Sequence, residues 1–136
     1  MDRGASRIGA GGEFLACAIL AELGWTASPV NADGFDLMAV RGRSLLRVQV
    51  KATLRRQHKR TSYQWNVSRS KPKRSLTIED CDVVAAVALD IRRAWFIHVN
   101  HVQNQTTIRL PLRQIILEDF EQETWEAALR ATSQKT

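Results

Sequence analysis

Asp36, Gln49 and Lys51 are the residues of this sequence whose types and spacing could carry out chemistry. A carboxylate and an amide oxygen are hard oxygen ligands of the kind that hold Mg²⁺, which keeps several waters and accepts phosphate oxygens as further ligands. A bound divalent ion lowers the pKa of water and neutralises phosphate charge, and an ammonium group offsets developing negative charge. If the three side chains meet, they could support the hydrolysis of a phosphodiester.

A predicted hairpin brings them together. The segments GFDLMAV (34–40) and SLLRVQVKA (44–52) flank a short polar break that contains Gly42, and their β-branched content predicts two paired strands. A two-residue turn that begins with Gly42 and a four-residue loop give the same register. In that register Asp36 lies directly opposite Gln49, with Cβ atoms about 4.5–5.5 Å apart and side chains on one face.

Alternation along the second strand places Lys51 and Arg47 on the face of Gln49, because successive side chains point to opposite faces. The opposite face is wholly apolar and contains Leu37, Ala39, Val48 and Val50. A polar group at one end of such a hairpin is hard to explain as packing, so we interpret it as a functional site. The alternative is a solvated sheet face with an Asp–Lys pair of modest energetic value.

Positive charge is concentrated just after this hairpin. The net charge is +6, and the segment from Arg47 to Arg74 holds ten of the 20 Lys and Arg residues and no acidic residue. The sign reverses near the C-terminus, where five acidic residues lie between Glu118 and Glu126. This layout favours one face for phosphates, which supply affinity without reading sequence; the alternative is a solvated basic loop. The predicted phosphate contacts are Arg47, Arg55, Arg56, Lys59, Arg60, Arg69, Lys71, Lys73 and Arg74.

The remaining segments predict a mixed α/β domain with one sheet between an opening and a closing helix. A glycine-rich entry at 9–12 precedes good helix formers, and Gly24 supplies a stop signal. The apolar run at 83–89 suits a strand buried on both faces. The predicted elements are helices at 13–23 and 122–131, strands at 25–30, 34–40, 44–52, 63–67, 83–89, 94–99 and 107–110, and loops at 54–62 and 68–75.

Length and composition predict one cytoplasmic domain over residues 1–136. The chain is long enough for a single core but not for two. Its apolar runs are all shorter than the ~18 residues of a membrane span, and the N-terminus lacks the apolar core of a secretory signal. Cys17 and Cys81 match no zinc spacing and are too few to staple a small domain, so we expect two buried thiols.

With its helix, hairpin, lysine strand and basic loop in this order, the sequence resembles the PD-(D/E)XK nuclease superfamily. The matching residues are Gly12-Glu13 at the start of the predicted helix in GGEFLACAILAELGW, Asp36 in GFDLMAV and Gln49-Val50-Lys51 in LLRVQVKA. The resemblance covers residues 9 to 99 and implies a restriction-endonuclease-like core, with a central mixed β-sheet flanked by an N-terminal helix and a C-terminal helix. The Q-x-K variant is similar to group I intron-encoded homing endonucleases, and the helix-first layout is similar to archaeal Holliday-junction resolvases.

The resemblance also implies a role for each residue. Asp36 would be the main metal-binding carboxylate, Gln49 would ligate where most members have Glu, and the Val50 backbone carbonyl would add a ligand. Lys51 would position or activate water. Glu13 would reach a second metal or a metal-bound water, although a carboxylate near a helix N-terminus is also stabilised by the helix dipole without any metal. The implied cofactor is Mg²⁺, with Mn²⁺ as a substitute.

Several functional hypotheses follow. The first is a site-specific DNA endonuclease of the homing type, and the second is a structure-specific junction resolvase. A third, from another class, is a catalytically silent nucleic-acid-binding module, which Gln49 in place of Glu favours; a protein-interaction role has only the acidic C-terminal segment as support. One site in so small a domain predicts a homo-oligomer, a dimer or tetramer, since two cuts need two sites; 95–99 and 115–117 are candidate interfaces.

Overall fold

The computed structural model describes residues 3–30, 32–57, 60–70 and 73–133. The core of the fold is a mixed five-stranded sheet. In spatial order its strands are β1 (Thr26–Pro29), β2 (Leu37–Arg41), β3 (Ser44–Thr53), β7 (Val83–Ala88) and β8 (Arg93–His98). β3 and β7 are parallel, and the other neighbours are antiparallel. This is the predicted central mixed sheet.

Two helices pack on one face of this sheet. They are α1 (Arg3–Glu22) and α3 (Phe120–Ser133). Ala16 and Leu20 of α1, and Trp125 of α3, are buried against the apolar side chains of the sheet, among them Val48 and Val50. The predicted arrangement of a sheet flanked by an N-terminal and a C-terminal helix is therefore confirmed, and both helices lie on the same side.

Small strands and a short helix cover the other face. β4 (Ser62–Asn66) pairs with β9 (Thr107–Pro111), and β5 (Ser68–Ser70) pairs with β6 (Lys73–Ser75). The short α2 (Leu112–Ile115) follows β9. Together with the central sheet these elements bury a second apolar cluster, which includes Tyr63 and Trp65. β7 lies between both clusters, and all six of its residues are buried, as its continuous apolar run predicts.

The structure corrects three expectations. The strand near 63–67 does not join the central sheet, because β4 pairs only with β9 among the described residues. The predicted loop at 68–75 contains the β5–β6 hairpin, whose connecting residues lie outside the described part of the chain. The candidate interface at 95–99 belongs largely to the chain's own core, since four of its five residues are buried.

A fourth difference concerns the start of α1, which begins at Arg3 rather than after the glycine-rich entry at 9–12, so that Gly12 lies inside the helix. A Cβ atom at Gly12 would lie 2.7 Å from the Cβ of Ala52 and 3.3 Å from a methyl carbon of Val50. Glycine costs helix stability, but here its missing side chain lets α1 approach β3 closely. The following residue, Glu13, is thereby held near the strand that carries Gln49 and Lys51.

Candidate active site

The β2–β3 hairpin has the predicted register. Val40 pairs with Leu45, Arg41 pairs with Ser44, and the ladder runs back to the pair of Leu37 and Val48. Gly42 begins the turn with a φ of +60°, which a side chain would make costly. The apolar face of the hairpin packs against α1, and the polar face carries Gln49 and Lys51, so the predicted division of the two faces is also confirmed.

Asp36 does not form the predicted cross-strand pair with Gln49. The ladder stops at Leu37, and the Asp36 N–H donates to the carbonyl of Val48 instead. The chain therefore leaves the ladder one residue earlier than a regular hairpin would. The Asp36 carboxylate accepts a hydrogen bond of 2.8 Å from the Val50 N–H. Had the ladder continued past Leu37, this N–H would have faced the backbone of β2 instead.

Because β2 ends here, β3 has no neighbouring strand on this side beyond Val48 in the described part of the chain. β3 continues five residues beyond Val48, to Thr53, without β2 beside it. Because the N–H and C=O groups of a residue in a strand point to the same side, the Val50 carbonyl faces the side of the Asp36 carboxylate. Two oxygen donors thus lie at the edge where the resemblance implies a metal.

Lys51 is positioned by a backbone group on the far face of the sheet. Its ammonium group donates to the carbonyl of Ser68 at 3.1 Å. The Asn66 side chain in turn fixes Ser68, since its oxygen accepts from both the Ser68 N–H at 2.9 Å and the Ser68 hydroxyl at 2.7 Å. An Asn–x–Ser turn is a local signal that sequence reading could have used. The carbonyl that binds lysine leaves no such signal, because every residue has one.

The three residues of the predicted triad line one cavity of about 220 Å³. Asp36, Gln49 and Lys51 line it together with Arg69 of β5. Glu13 is not among its lining residues, but it approaches from the helical side of the sheet closely enough for its carboxylate to repel that of Asp36. The structure therefore brings the triad into one cavity and places Glu13 beside it.

The electrostatics of the site are unfavourable for the protein alone. Burial raises the pKa of Asp36, although the hydrogen bond from Val50 and the charge of Lys51 work against this rise. Burial, then repulsion by Asp36, raises the pKa of Glu13. Burial also lowers the pKa of Lys51, against the attraction of Asp36. Each group is thus shifted toward its neutral form, as is typical of functional sites.

The residues present fit a hard divalent cation. Asp36, Glu13, Gln49 and the Val50 carbonyl would supply only oxygen donors, and Mg²⁺ is bound in proteins by one or two carboxylates with water completing the shell. A cation would relieve the repulsion between Asp36 and Glu13. Within the described ranges, no three His, Cys, Asp or Glu residues cluster as a metal site. Binding would therefore depend on Gln49 and the Val50 carbonyl as well.

The predicted phosphate-contacting residues fall into two groups. Arg47 is tied to Asp82, with its Nε donating to the carboxylate at 3.2 Å, and to the carbonyl of Ile78. Arg69 and Arg74 both donate to Asp80. The residues that form no ion pair within the described part of the chain are Arg55, Arg56, Arg60 and Lys73. Lys59 and Lys71 lie outside the described residues.

Asp80 is the residue that sequence reading missed. Only 4% of it is exposed, and it accepts hydrogen bonds of 2.8–2.9 Å from Arg69 and Arg74 and one of 3.0 Å from the Thr77 N–H. It therefore ties the β5–β6 hairpin, and with it Arg69 and the Ser68 carbonyl, to the segment before β7. Asp80 is one of three acidic residues at 79–82, and the sequence gives no sign of which of them takes this role, because the pairing is decided by tertiary contact.

The comparison with solved structures identifies a fold shared with a nuclease. A bacterial homing endonuclease, I-Ssp6803I, superposes with a TM-score of 0.70 at 18% sequence identity, over 94% of this chain and 94% of that one. The class that the architecture defines is the restriction-endonuclease-like fold, which this chain has in common with that enzyme. At this identity the likeness concerns the fold alone.

Other comparisons add no relative. No family model matches the chain, and no curated protein matches it. Among the helices of the described residues, none combines the length and the apolar character that a membrane crossing needs.

Proposed function

We propose that this protein is a metal-dependent DNA endonuclease, of the homing type that cuts a long duplex site. The observation that carries the proposal is the common cavity of Asp36, Gln49 and Lys51 at the edge of β3 where β2 has ended. The fold shared with a bacterial homing endonuclease supports it. The basic composition of the segment after the hairpin supports a phosphate-bearing substrate.

The chain's own residues divide the work at this site. The Asp36 carboxylate is held by the Val50 N–H, so it is oriented before any ligand arrives. Lys51 is held by the Ser68 carbonyl through one of its three ammonium hydrogens, which leaves donors for an attacking water or a phosphate oxygen. Preorganised donors of this kind stabilise the charge that develops on the phosphate as it is attacked.

Asp36, Gln49, Val50 and Glu13 would hold the metal, proposed to be Mg²⁺ or Mn²⁺. When bound, such an ion supplies Lewis-acid stabilisation of the phosphate and lowers the pKa of a coordinated water. Gln49 contributes no charge, so the second carboxylate must come from Glu13 on the opposite face. The close packing of Gly12 on β3, which a Cβ atom would prevent, supports this role because it brings α1, and with it Glu13, close to β3.

The direct test uses long duplex DNA with added Mg²⁺ or Mn²⁺, and four-way junctions at the same salt concentration. We expect cutting that depends on the metal and disappears with a chelator. Cutting of the long duplex at one site supports the homing type, whereas sequence-tolerant cutting of junctions would replace it by a junction resolvase. Failure to cut either substrate would contradict the proposal.

Lys51→Ala separates an enzyme from the rival of another class, a silent nucleic-acid-binding module with this fold. In an enzyme the substitution removes cutting and leaves binding nearly intact, because Lys51 holds one of many possible phosphate contacts. Arg43→Ala is a matched control, since Arg43 is an exposed cation in the β2–β3 turn, at the opposite end of β3. Equal behaviour of Lys51→Ala and the wild type in cutting would exclude the proposed role of Lys51.

A further inference from the structure

A second and larger concavity lies beyond the end of β3. It measures about 1040 Å³, and it is separate from the cavity of Asp36. Its walls come from the last residues of β3, the loop that follows and Ile8 of α1. We call it the arginine groove, because Arg55, Arg56 and Arg60 line it.

The protein neutralises only part of the positive charge of the arginine groove. None of its three arginines forms a salt bridge with a residue in the described part of the chain. Among the described lining residues, Asp90 is the only acidic one. The Asp90 carboxylate accepts a hydrogen bond of 2.8 Å from the Tyr63 hydroxyl. Three cations and one anion leave the lining with two net positive charges.

The start of the groove wall is held rigidly. The carbonyls of Thr53 and Leu54 accept hydrogen bonds from the N–H groups of Leu89 and Asp90, at 3.0 and 3.1 Å. The wall before the arginines is therefore tied to the turn after β7. An arginine cluster on an anchored backbone loses less freedom on binding an anion than one on an unattached loop.

The groove also continues the line of the proposed active site. Lys51 lies four residues before Arg55; β3 ends at Thr53 and the chain then bends, so the two residues are at most about 13 Å apart along the chain. Nucleotides along one strand of a duplex are about 3.4 Å apart along the axis. Phosphates within about four nucleotides of the cut would therefore fall opposite the arginines.

From these observations we infer that the arginine groove binds the phosphodiester backbone of the DNA strand being cut, on one side of the scissile phosphate. The inference rests on the proposed function for the identity of the polyanion. It assigns the main backbone contacts to Arg55, Arg56 and Arg60 rather than to the hairpin arginines. Asp33 and Asp80 already offset the charges of those two residues, Arg69 and Arg74.

The test measures binding of a fluorescent DNA duplex by anisotropy, in EDTA, at several salt concentrations. The logarithm of affinity falls with the logarithm of salt by about 0.9 for each phosphate neutralised. We expect the triple variant Arg55→Gln/Arg56→Gln/Arg60→Gln to lower this slope by about 2–3. Arg43→Gln, with its arginine in the distant β2–β3 turn, should keep the wild-type slope.

The Asp90→Asn variant should change the DNA affinity of the same groove in the opposite direction. It removes the negative charge and keeps an oxygen that can accept from the Tyr63 hydroxyl, so the groove retains its shape. We expect this variant to bind the duplex more tightly than the wild type, by several-fold at low salt. All variants change exposed side chains, so their circular dichroism and melting temperatures should match the wild type.

The outcomes distinguish this inference from the proposed function. If the wild type cuts DNA but the triple variant keeps the wild-type slope and Asp90→Asn does not gain affinity, the groove is not the backbone site, although the endonuclease stands. If the slope falls as expected but no substrate is cut, the groove still binds the DNA backbone, whereas the endonuclease proposal and the position of the groove beside a scissile phosphate both fail. Equal or tighter binding of an RNA duplex by the same arginines would overturn DNA as the occupant.

Discussion

Asp36 and Asp80 are two aspartates that the fold withdraws from solvent, and their surroundings are opposite. Asp80 receives hydrogen bonds from two arginines and a backbone N–H, and these partners hold its pKa well below the usual range. Asp36 receives one hydrogen bond, from Val50, and lies near a second carboxylate, that of Glu13. Its pKa is raised by burial.

The difference separates a structural carboxylate from a candidate ligand. Arginines of the protein itself neutralise the Asp80 carboxylate, so its role is to hold the β5–β6 hairpin against the core. Asp36 is short of positive charge, which a divalent cation could supply. The same contrast distinguishes the arginines. Asp33 and Asp80 neutralise the two arginines of the hairpin, whereas the three arginines of the groove have only Asp90 beside them among the described lining residues.

The largest expected effect that tests this contrast is on cutting. Asp36→Asn should lower the single-turnover rate of DNA cleavage by a factor of about 10³ or more, because it removes the main charged ligand. Asp80→Asn, assayed at a temperature where it is folded, should lower the rate by far less. Equal losses in the two variants would show that the contrast does not separate function from structure.

The next effect is on stability, and here the order reverses. Asp80→Asn should destabilise the protein by about 2 kcal/mol, because Arg74 loses its charged partner and Arg69 keeps only its pair with Asp33. The measurement is urea unfolding at pH 7 in EDTA. Asp82→Asn is a matched control, since Asp82 forms an ion pair with one arginine, Arg47, rather than with two. It should lower the free energy of unfolding by less than Asp80→Asn does. An unchanged unfolding midpoint for Asp80→Asn would refute the structural role.

The stability from Asp80 should also depend on pH in a known direction. Because its pKa is depressed in the folded protein, its contribution is complete above the unfolded value of about 3.9 and is lost as the pH falls below that value. The difference in unfolding free energy between the wild type and Asp80→Asn should therefore be constant from pH 7 to pH 5 and shrink toward pH 3. Urea unfolding at each pH measures it.

Metal binding should give a smaller shift. Mn²⁺ at ten times its dissociation constant should stabilise the wild type by about 1.4 kcal/mol. Asp36→Asn should show almost none of this gain, whereas Asp80→Asn should keep it. Thermal unfolding with and without Mn²⁺ measures the shift independently of any cleavage. A full Mn²⁺ shift in Asp36→Asn would place the metal elsewhere.

The smallest expected effect is a gain in stability for Asp36→Asn without metal. The raised pKa of Asp36 means that its charged form opposes folding at pH 7. The amide removes that charge and keeps an oxygen for the Val50 N–H, so a gain is expected that solvent screening keeps below about 1 kcal/mol. The gain should vanish below about pH 3.9, where the carboxyl is protonated in both states. A loss of stability at pH 7 would contradict this account.

Much of the fold and of the site could be predicted because it depends on local patterns. Alternation of apolar residues fixed the two faces of the hairpin, and the short turn at Gly42 fixed its register. Two helices, the buried strand β7 and the common cavity of Asp36, Gln49 and Lys51 followed from the same patterns. The length of α1 did not, since only contact with Ala52 explains why Gly12 lies inside a helix.

The sequence by itself determined which residues could meet on β3, since side-chain alternation and hairpin register are properties of neighbouring residues. Only the tertiary structure decided what became of their charges. Asp36 leaves the ladder to meet the Val50 N–H, and Asp80 draws in Arg69 and Arg74. Charge is neutralised by contacts between segments distant in sequence, so the tertiary structure alone decided which carboxylates and arginines remain available for a ligand.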